Sequence, residues 1–232
     1  MVSIAVLRFP GTNNEKDVLR ALSQINGANP FLVPSRKGIA GLQDASAVII
    51  PGGFSYGDYL RAGAVASVEP IIEAVRNFSE DEYPVLGICN GFQILTEMGI
   101  LPGVLLPNNS ARFICKWIHL RVSDYTTLFT EGLEGAILRI PIAHAEGNYY
   151  CSEEEWTVLN DEARIPFRYS DETGNITNES NPNGSIHNIA GVINQKGNVL
   201  GLMPHPERAC RQVLGSIDGL QILENFVRVI KC

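Results

Sequence analysis

The chain has 232 residues, 45% of them hydrophobic and 19% charged, with a formal net charge of −7. That balance suits one α/β domain or two small ones, and its acidic sign argues against a nucleic-acid or anionic-membrane partner. No apolar run approaches membrane-spanning length, no signal peptide is expected ahead of the first strand, and cysteines at 89, 115, 151, 210 and 232 without a C-x-x-C pair fit reduced thiols in a cytoplasmic protein.

Residues 3–9 (Ser-Ile-Ala-Val-Leu-Arg-Phe) form a mostly apolar run of strand length, the kind buried on both faces of a parallel sheet. Pro10-Gly11 breaks it. Thr12-x-x-Glu15 has the spacing of a capping box, opening a helix with an apolar stripe of Val18, Leu19, Leu22 and Ile25. Gly27 ends that helix; residues 31–33 and 47–50 read as further strands and 69–78 as a second amphipathic helix. Alternating strands and helices predict a doubly wound, largely parallel sheet.

Pro51-Gly52-Gly53-Phe54-Ser55-Tyr56-Gly57-Asp58-Tyr59-Leu60-Arg61 follows the third strand at its carboxyl end, where open α/β sheets bind ligands. Gly52 and Gly53 free backbone N–H groups to face a ligand oxygen, as an oxyanion hole requires, and predict a loop that can switch conformation. A flexible surface loop would have the same composition.

Residues 84–98 (Pro-Val-Leu-Gly-Ile-Cys-Asn-Gly-Phe-Gln-Ile-Leu-Thr-Glu-Met) combine a short buried strand with a helix carrying Phe92, Leu95 and Met98 on one side. Cys89 stands at the junction as Gly87-x-Cys-x-Gly91, the thiol version of the strand–turn–helix nucleophile elbow. A helix N-terminus favours the thiolate, which is the reactive form. A buried structural cysteine beside a tight turn is the competing reading.

After Gly103 the pattern changes. Residues 112–122, 136–143 and 164–169 read as extended, with few helical signals between them and Glu153-Glu154-Glu155 as a solvated acidic cluster. Residues 191–194 and 198–203 flank Gln195-Lys196-Gly197 as a hairpin, 171–185 as a long loop, and 220–230 as a closing helix. Without repeats or a linker, residues 1–232 read as one domain on a mixed sheet.

Met203-Pro204-His205-Pro206-Glu207-Arg208 supplies the other half of a nucleophilic site. Proline after His205 disfavours the helical basin, so the segment is expected to run extended and to project His205 and Glu207 towards one side, where the carboxylate could orient the imidazole. His119, inside a strand, and His187, in loop-rich sequence, read as structural or surface residues. Ala143-His144-Ala145-Glu146-Gly147 carries a second His/Glu pair, without the further ligands that zinc needs.

Together these segments resemble class I glutamine amidotransferases, and within them the glutaminase subunits of phosphoribosylformylglycinamidine synthases. The resemblance runs essentially end to end, on residues 51–61, 86–93 (Leu-Gly-Ile-Cys-Asn-Gly-Phe-Gln), 109–113 (Asn-Ser-Ala-Arg-Phe), 142–147 and 181–207, with Ala145 standing where the family pattern has glycine. It implies a flavodoxin-like sheet with additional antiparallel strands. It implies Cys89 as nucleophile on the side-chain amide of L-glutamine, His205 as proton carrier and Glu207 as its orienter. Gly53 and Asn90 would give the oxyanion N–H groups beside Gly52, Gln93 would help hold the glutamine, and His144 and Glu146 would lie near the substrate. The partner implied is a synthase large subunit, with a third small subunit as a further candidate; ATP and magnesium belong to that partner, and no cofactor or metal to this chain. A glutaminase serving a different synthase and a cysteine hydrolase with a similar elbow remain the alternatives.

Overall fold

A computed structural model describes residues 1–230; Cys232 lies outside the described residues. The first part of the chain lays down β1 (Val2–Arg8), α1 (Glu15–Leu22), β2 (Ala28–Pro34), β3 (Ala47–Ile50), α2 (Pro70–Glu80), β4 (Val85–Ile88) and α3 (Asn90–Glu97). The rest adds β5 (Val104–Leu106), β6 (Ile114–Val122), β7 (Ile137–His144), β8 (Asn148–Tyr150), α4 (Glu153–Asp161), β9 (Phe167–Ser170), β10 (Ile189–Ile193), β11 (Val199–Leu202) and α5 (Asp218–Val229).

Nine strands form one sheet in the order β2-β1-β3-β4-β11-β10-β9-β6-β7, and β5 pairs with β8 apart from it. From β2 to β11 all pairings are parallel; from β11 to β7 all are antiparallel. The mixed flavodoxin-like sheet expected from the sequence is therefore present. Every residue of β3 and β4 is buried, as continuous apolar strands between two helical layers must be. In β7 buried residues alternate with exposed or half-buried ones, the pattern of a strand with one face covered. Among the described residues, no helix is long and apolar enough to cross a membrane.

Two local expectations fail. Thr12 does not cap α1: its hydroxyl accepts from the Phe9 N–H at 3.0 Å, and Asn14 takes the N-cap position without making a side-chain cap. Few helical signals are expected between residues 143 and 164, yet the acidic run, exposed as a solvated cluster should be, is the first turn of α4, where Ser152 and Glu155 form a capping box. Three carboxylates there complement the positive end of the helix dipole.

The turn between β4 and α3 is the tightest piece of packing. Cys89 is held at φ 50°, ψ −104°, a conformation that L-residues adopt only when the surroundings enforce it. The enforcement comes from the flanking glycines. A Cβ on Gly91 would collide with the Ile50 carbonyl oxygen of β3, and one on Gly87 would lie 2.7 Å from the Gly91 backbone. Gly91→Ala is thus expected to destabilise the protein by about 3 kcal/mol, at the upper end of overpacking costs, because the obstacle is backbone. Lys16→Ala, on the exposed side of α1, is expected to stay within about 0.5 kcal/mol, and urea midpoints of the two variants check the contrast.

Candidate active site

Four parallel strands deliver the site at their carboxyl edge: β1 through residues 10–14, β3 through 51–58, β4 through Cys89, and β11 through 203–208. Cys89 is buried, with its Sγ 3.8 Å from the Ala143 carbonyl oxygen beyond β7 Ile142. The His205 N–H donates to the Pro141 carbonyl at 2.9 Å, which pins the β11 exit to β7. The expectation of an extended His205–Glu207 segment is not met, since Pro206–Arg208 makes a 3-10 turn. Proline at the first position of that turn has no N–H to lose and a φ suited to it. The turn nevertheless brings His205 Nδ1 to 2.7 Å from Glu207 Oε1, both side chains almost wholly buried.

Burial alone would push the His205 imidazolium down, but the Glu207 charge and the Cys89 sulfur outweigh it and raise its pKa to about 10. Burial likewise pushes the Glu207 carboxyl up, and the His205 charge and hydrogen bond reverse this, holding it below its ordinary value. The two directions agree on a buried imidazolium–carboxylate pair. Apart from the Cys89 sulfur, whose charge and hydrogen bond help raise the pKa, His205 Nε2 has no partner among the described residues.

Sequence reasoning missed Asn14. Its Nδ2 donates to Glu207 Oε1 at 3.0 Å and lies 3.0 Å from His205 Nδ1, while its Oδ1 accepts from Arg208 at 2.8 Å. A guanidinium only donates, so Arg208 fixes the amide orientation and turns the NH₂ group onto the carboxylate. Gly52 closes the other side of the pair: a Cβ there would stand 2.7 Å from His205 Cε1 and 3.0 Å from Asn14 Nδ2. Gly52 is thus a close-packing position against the His205 ring.

The glycine-rich loop is less slack than its composition suggested. Gly52 O accepts from Asn14 N at 3.3 Å, Phe54 N donates to Gly11 O at 3.0 Å, and Ser55 N donates to Asn90 Oδ1 at 3.2 Å. Between these ties Gly53 sits at φ 149°, and the N–H groups of Gly53 and Asn90 find no acceptor among the described residues. The backbone strain lies further along, at Tyr56, Asp58 and Leu60, non-glycine residues with positive φ.

Gly53, Cys89, Gln93, His144 and Glu146 line a common cavity together with Asp58, which sequence reasoning also missed. Gln93 accepts from Asn90 Nδ2 at 2.9 Å and donates to the Glu146 carbonyl at 2.6 Å, tying the start of α3 to the turn after β7. Ala145 replaces the family's glycine without strain, as it is not among the positive-φ residues. His119 and His187 lie elsewhere: His119 is within β6, and His187 stacks on Trp156 with ring centroids 4.1 Å apart. Cys115, Cys151 and Cys210 are free thiols, as expected, and burial pushes Cys151 and Cys210 up to about 11 and 12.

Residues 1–222 match the family described as the CobB/CobQ-like glutamine amidotransferase domain. The phosphoribosylformylglycinamidine synthase subunit PurQ of Pyrococcus furiosus is 50% identical over 100% of both chains. The corresponding subunit of Aquifex aeolicus is 49% identical over 95% of this chain and 97% of its own. Among solved structures, a chain of PurLQS from Thermotoga maritima superposes with a TM-score of 0.85 at 41% identity, covering 98% of each chain. A glutamine amidotransferase from Thermotoga maritima, 16% identical with a TM-score of 0.62 over 100% and 99% of the two chains, shares the fold.

Asn14→Ala is expected to leave the fold intact while lowering turnover at Cys89 by about tenfold or more, because the buried Glu207 carboxylate loses a charge-assisted donor. Circular dichroism and kcat of the variant beside the unaltered protein check both halves.

Proposed function

The chain belongs to the CobB/CobQ-like glutamine amidotransferases, and we propose that it is the glutaminase subunit of phosphoribosylformylglycinamidine synthase, acting in the cytoplasm in de novo purine biosynthesis. The observation that carries this reading is a cysteine at a strained elbow beside a buried His205–Glu207 pair, in a chain 50% identical to a PurQ subunit along its whole length.

In the proposed reaction the Cys89 sulfur attacks the side-chain amide carbon of glutamine. The oxygen that becomes negative is stabilised by the unused N–H groups of Gly53 and Asn90, at a stage where each such donor is worth roughly 10²–10³-fold in rate. His205, protonated and oriented by Glu207 and indirectly by Asn14, gives a proton to the departing nitrogen as the C–N bond breaks. Ammonia leaves and a glutamyl thioester remains on Cys89. His205 then takes a proton from water, whose oxygen attacks the thioester carbon, and glutamate departs with the Cys89 thiolate restored. No step requires a cofactor or metal on this chain; ATP and magnesium act on the synthase partner, which receives the ammonia. The loop that carries Phe54 offers that partner exposed apolar surface: Tyr59 and Leu60 are 74% and 85% exposed, and the Phe54 ring lies 6.3 Å from that of Phe113.

Two measurements test this. In the complex with the synthase large subunit, and the third small subunit where one is required, Cys89→Ala should abolish glutamine-dependent synthesis while synthesis from added ammonium survives. Retention of glutamine-dependent synthesis would refute the assignment. Glu207→Gln removes the charge that raises the His205 pKa, so the alkaline limb of the kcat profile should move to lower pH. An unmoved limb would separate Glu207 from the proton carrier.

A further inference from the structure

The cavity beside Cys89 has an unusual polarity at the end formed by Asp58, Glu146 and His144. Asp58 is held at φ 53°, and its Oδ1 is buried with no partner among the described residues. Glu146 engages one oxygen, Oε2, as acceptor from the Ala62 N–H at 3.3 Å. Arg61, the adjacent cation, is committed to Glu97 at 2.6 Å and 2.5 Å. The two carboxylates therefore line one cavity, and Arg61 acts on Glu146 through its charge while its hydrogen bonds go to Glu97. Burial first and then the Glu146 charge push the Asp58 carboxyl up to about 6.

His144 adds an independent third acceptor. It is 3% exposed, and its Nδ1 lies 2.9 Å from Asn108 Oδ1. The Asn108 amide cannot be turned the other way, because its Nδ2 donates to two carbonyls, Arg112 O at 2.8 Å and His144 O at 2.9 Å. Asn108 Oδ1 also accepts from the Gly147 N–H at 3.1 Å. His144 Nδ1 must therefore carry the hydrogen, which leaves Nε2 as a bare acceptor. That Nε2 is buried and has no partner among the described residues. Burial, and then the charge of His205, drive the His144 pKa down to about 3, so the ring stays neutral at working pH.

Three acceptor-bearing side chains on one cavity, with the neighbouring Arg61 guanidinium already hydrogen-bonded to Glu97, describe a seat for a small cation that donates several hydrogen bonds. We propose that Asp58, Glu146 and the bare Nε2 of His144 bind the α-ammonium group of the glutamine whose amide is cleaved at Cys89. The inference rests on the glutaminase reading and deepens it. The subsite makes the chain selective for free L-glutamine over amides that lack an α-amino group, and it provides three acceptors for the three hydrogens of an ammonium. Positive φ at Asp58 follows from aiming a short carboxylate inward from a surface loop, and the strain is local to that aim.

The test compares two electrophiles that alkylate Cys89 in the complex with the synthase: 6-diazo-5-oxo-L-norleucine, which keeps the α-ammonium, and 6-diazo-5-oxohexanoate, which lacks both it and any substitute. Asp58→Asn keeps the shape and tolerates the left-handed backbone, since asparagine is enriched there. It is expected to lower the rate ratio of the two labels by about tenfold or more, with the rate of the des-amino label held within about twofold. Glutamine turnover should show the same split, a higher KM with kcat little changed. Glu146→Gln should lower the ratio in the same direction, which guards against a folding defect in either variant alone. An unchanged ratio in both variants overturns the proposal while leaving glutamine turnover, and hence the glutaminase reading, in place. If the ratio is unchanged but ammonium chloride protects Cys89 in the unaltered protein and not in Asp58→Asn, the seat belongs to product ammonium and the proposal is likewise overturned. If neither electrophile labels Cys89 in the unaltered complex, the glutaminase reading fails and this inference falls with it.

Discussion

The contact on which the site depends is between two backbones: Gly91 of α3 lies against the carbonyl oxygen of Ile50 at the end of β3, with no space for a side chain. At that separation the chain cannot pass from β4 into α3 by ordinary dihedrals, and Cys89 takes up the difference at φ 50°. Cys89 is thereby held at the carboxyl end of β4, with its sulfur 3.8 Å from the Ala143 carbonyl. The same contact sets the distance of the neighbouring loop, because Ser55 N is tied to Asn90 Oδ1 at the first residue of α3. Strain of this kind survives only in surroundings that over-determine it, and here the surroundings are the buried strands themselves.

Around this fixed point a buried charge pair is assembled from distant parts of the sequence. Burying a histidinium and a carboxylate is costly unless each is paired and hydrogen-bonded. His205 and Glu207 satisfy this condition through one another and through Asn14, which is 193 positions from Glu207. The turn that holds them is itself braced. A Cβ on Gly219, in the first turn of α5, would collide with the Pro206 carbonyl, so the helix end seats directly on the turn. The C-terminal helix thus acts on the chemistry without reaching it, by fixing the backbone that carries both partners.

The legible parts of the sequence were those whose cause is local. The β3 and β4 runs are continuous apolar tetrapeptides, and their bounds follow from composition. The elbow is legible because its glycines are needed within two residues of Cys89. What escaped depends on contacts across the sheet. Thr12-x-x-Glu15 has capping-box spacing, yet the Thr12 hydroxyl serves the Phe9 N–H and the N-cap side chain of Asn14 is turned away to Glu207. No local rule ranks that use above capping. The Ser152 capping box is equally local, but Glu155, which completes it, sits in a run of three glutamates whose charge reads equally well as a solvated cluster. In His205-Pro206-Glu207 the restriction that proline places on its neighbour ends at His205, and proline itself opens the 3-10 turn.

The polarity of the site also has an order that no single motif carries. Near Cys89 the unengaged groups are donors, the N–H groups of Gly53 and Asn90; at the Asp58, Glu146 and His144 end they are acceptors. A substrate with an amide oxygen at one end and an ammonium at the other matches this order, and the reversed pose would set like against like at both ends. Orientation therefore follows from electrostatics before any fine fit is made. The neutrality of His144 is essential to that order. A second imidazolium beside His205 would repel the ammonium, and the Asn108 amide, locked by two carbonyls, keeps the hydrogen on Nδ1 and leaves Nε2 the acceptor. Two histidines a short distance apart thus hold opposite protonation states, one because a carboxylate is paired to it and the other because burial is left uncompensated.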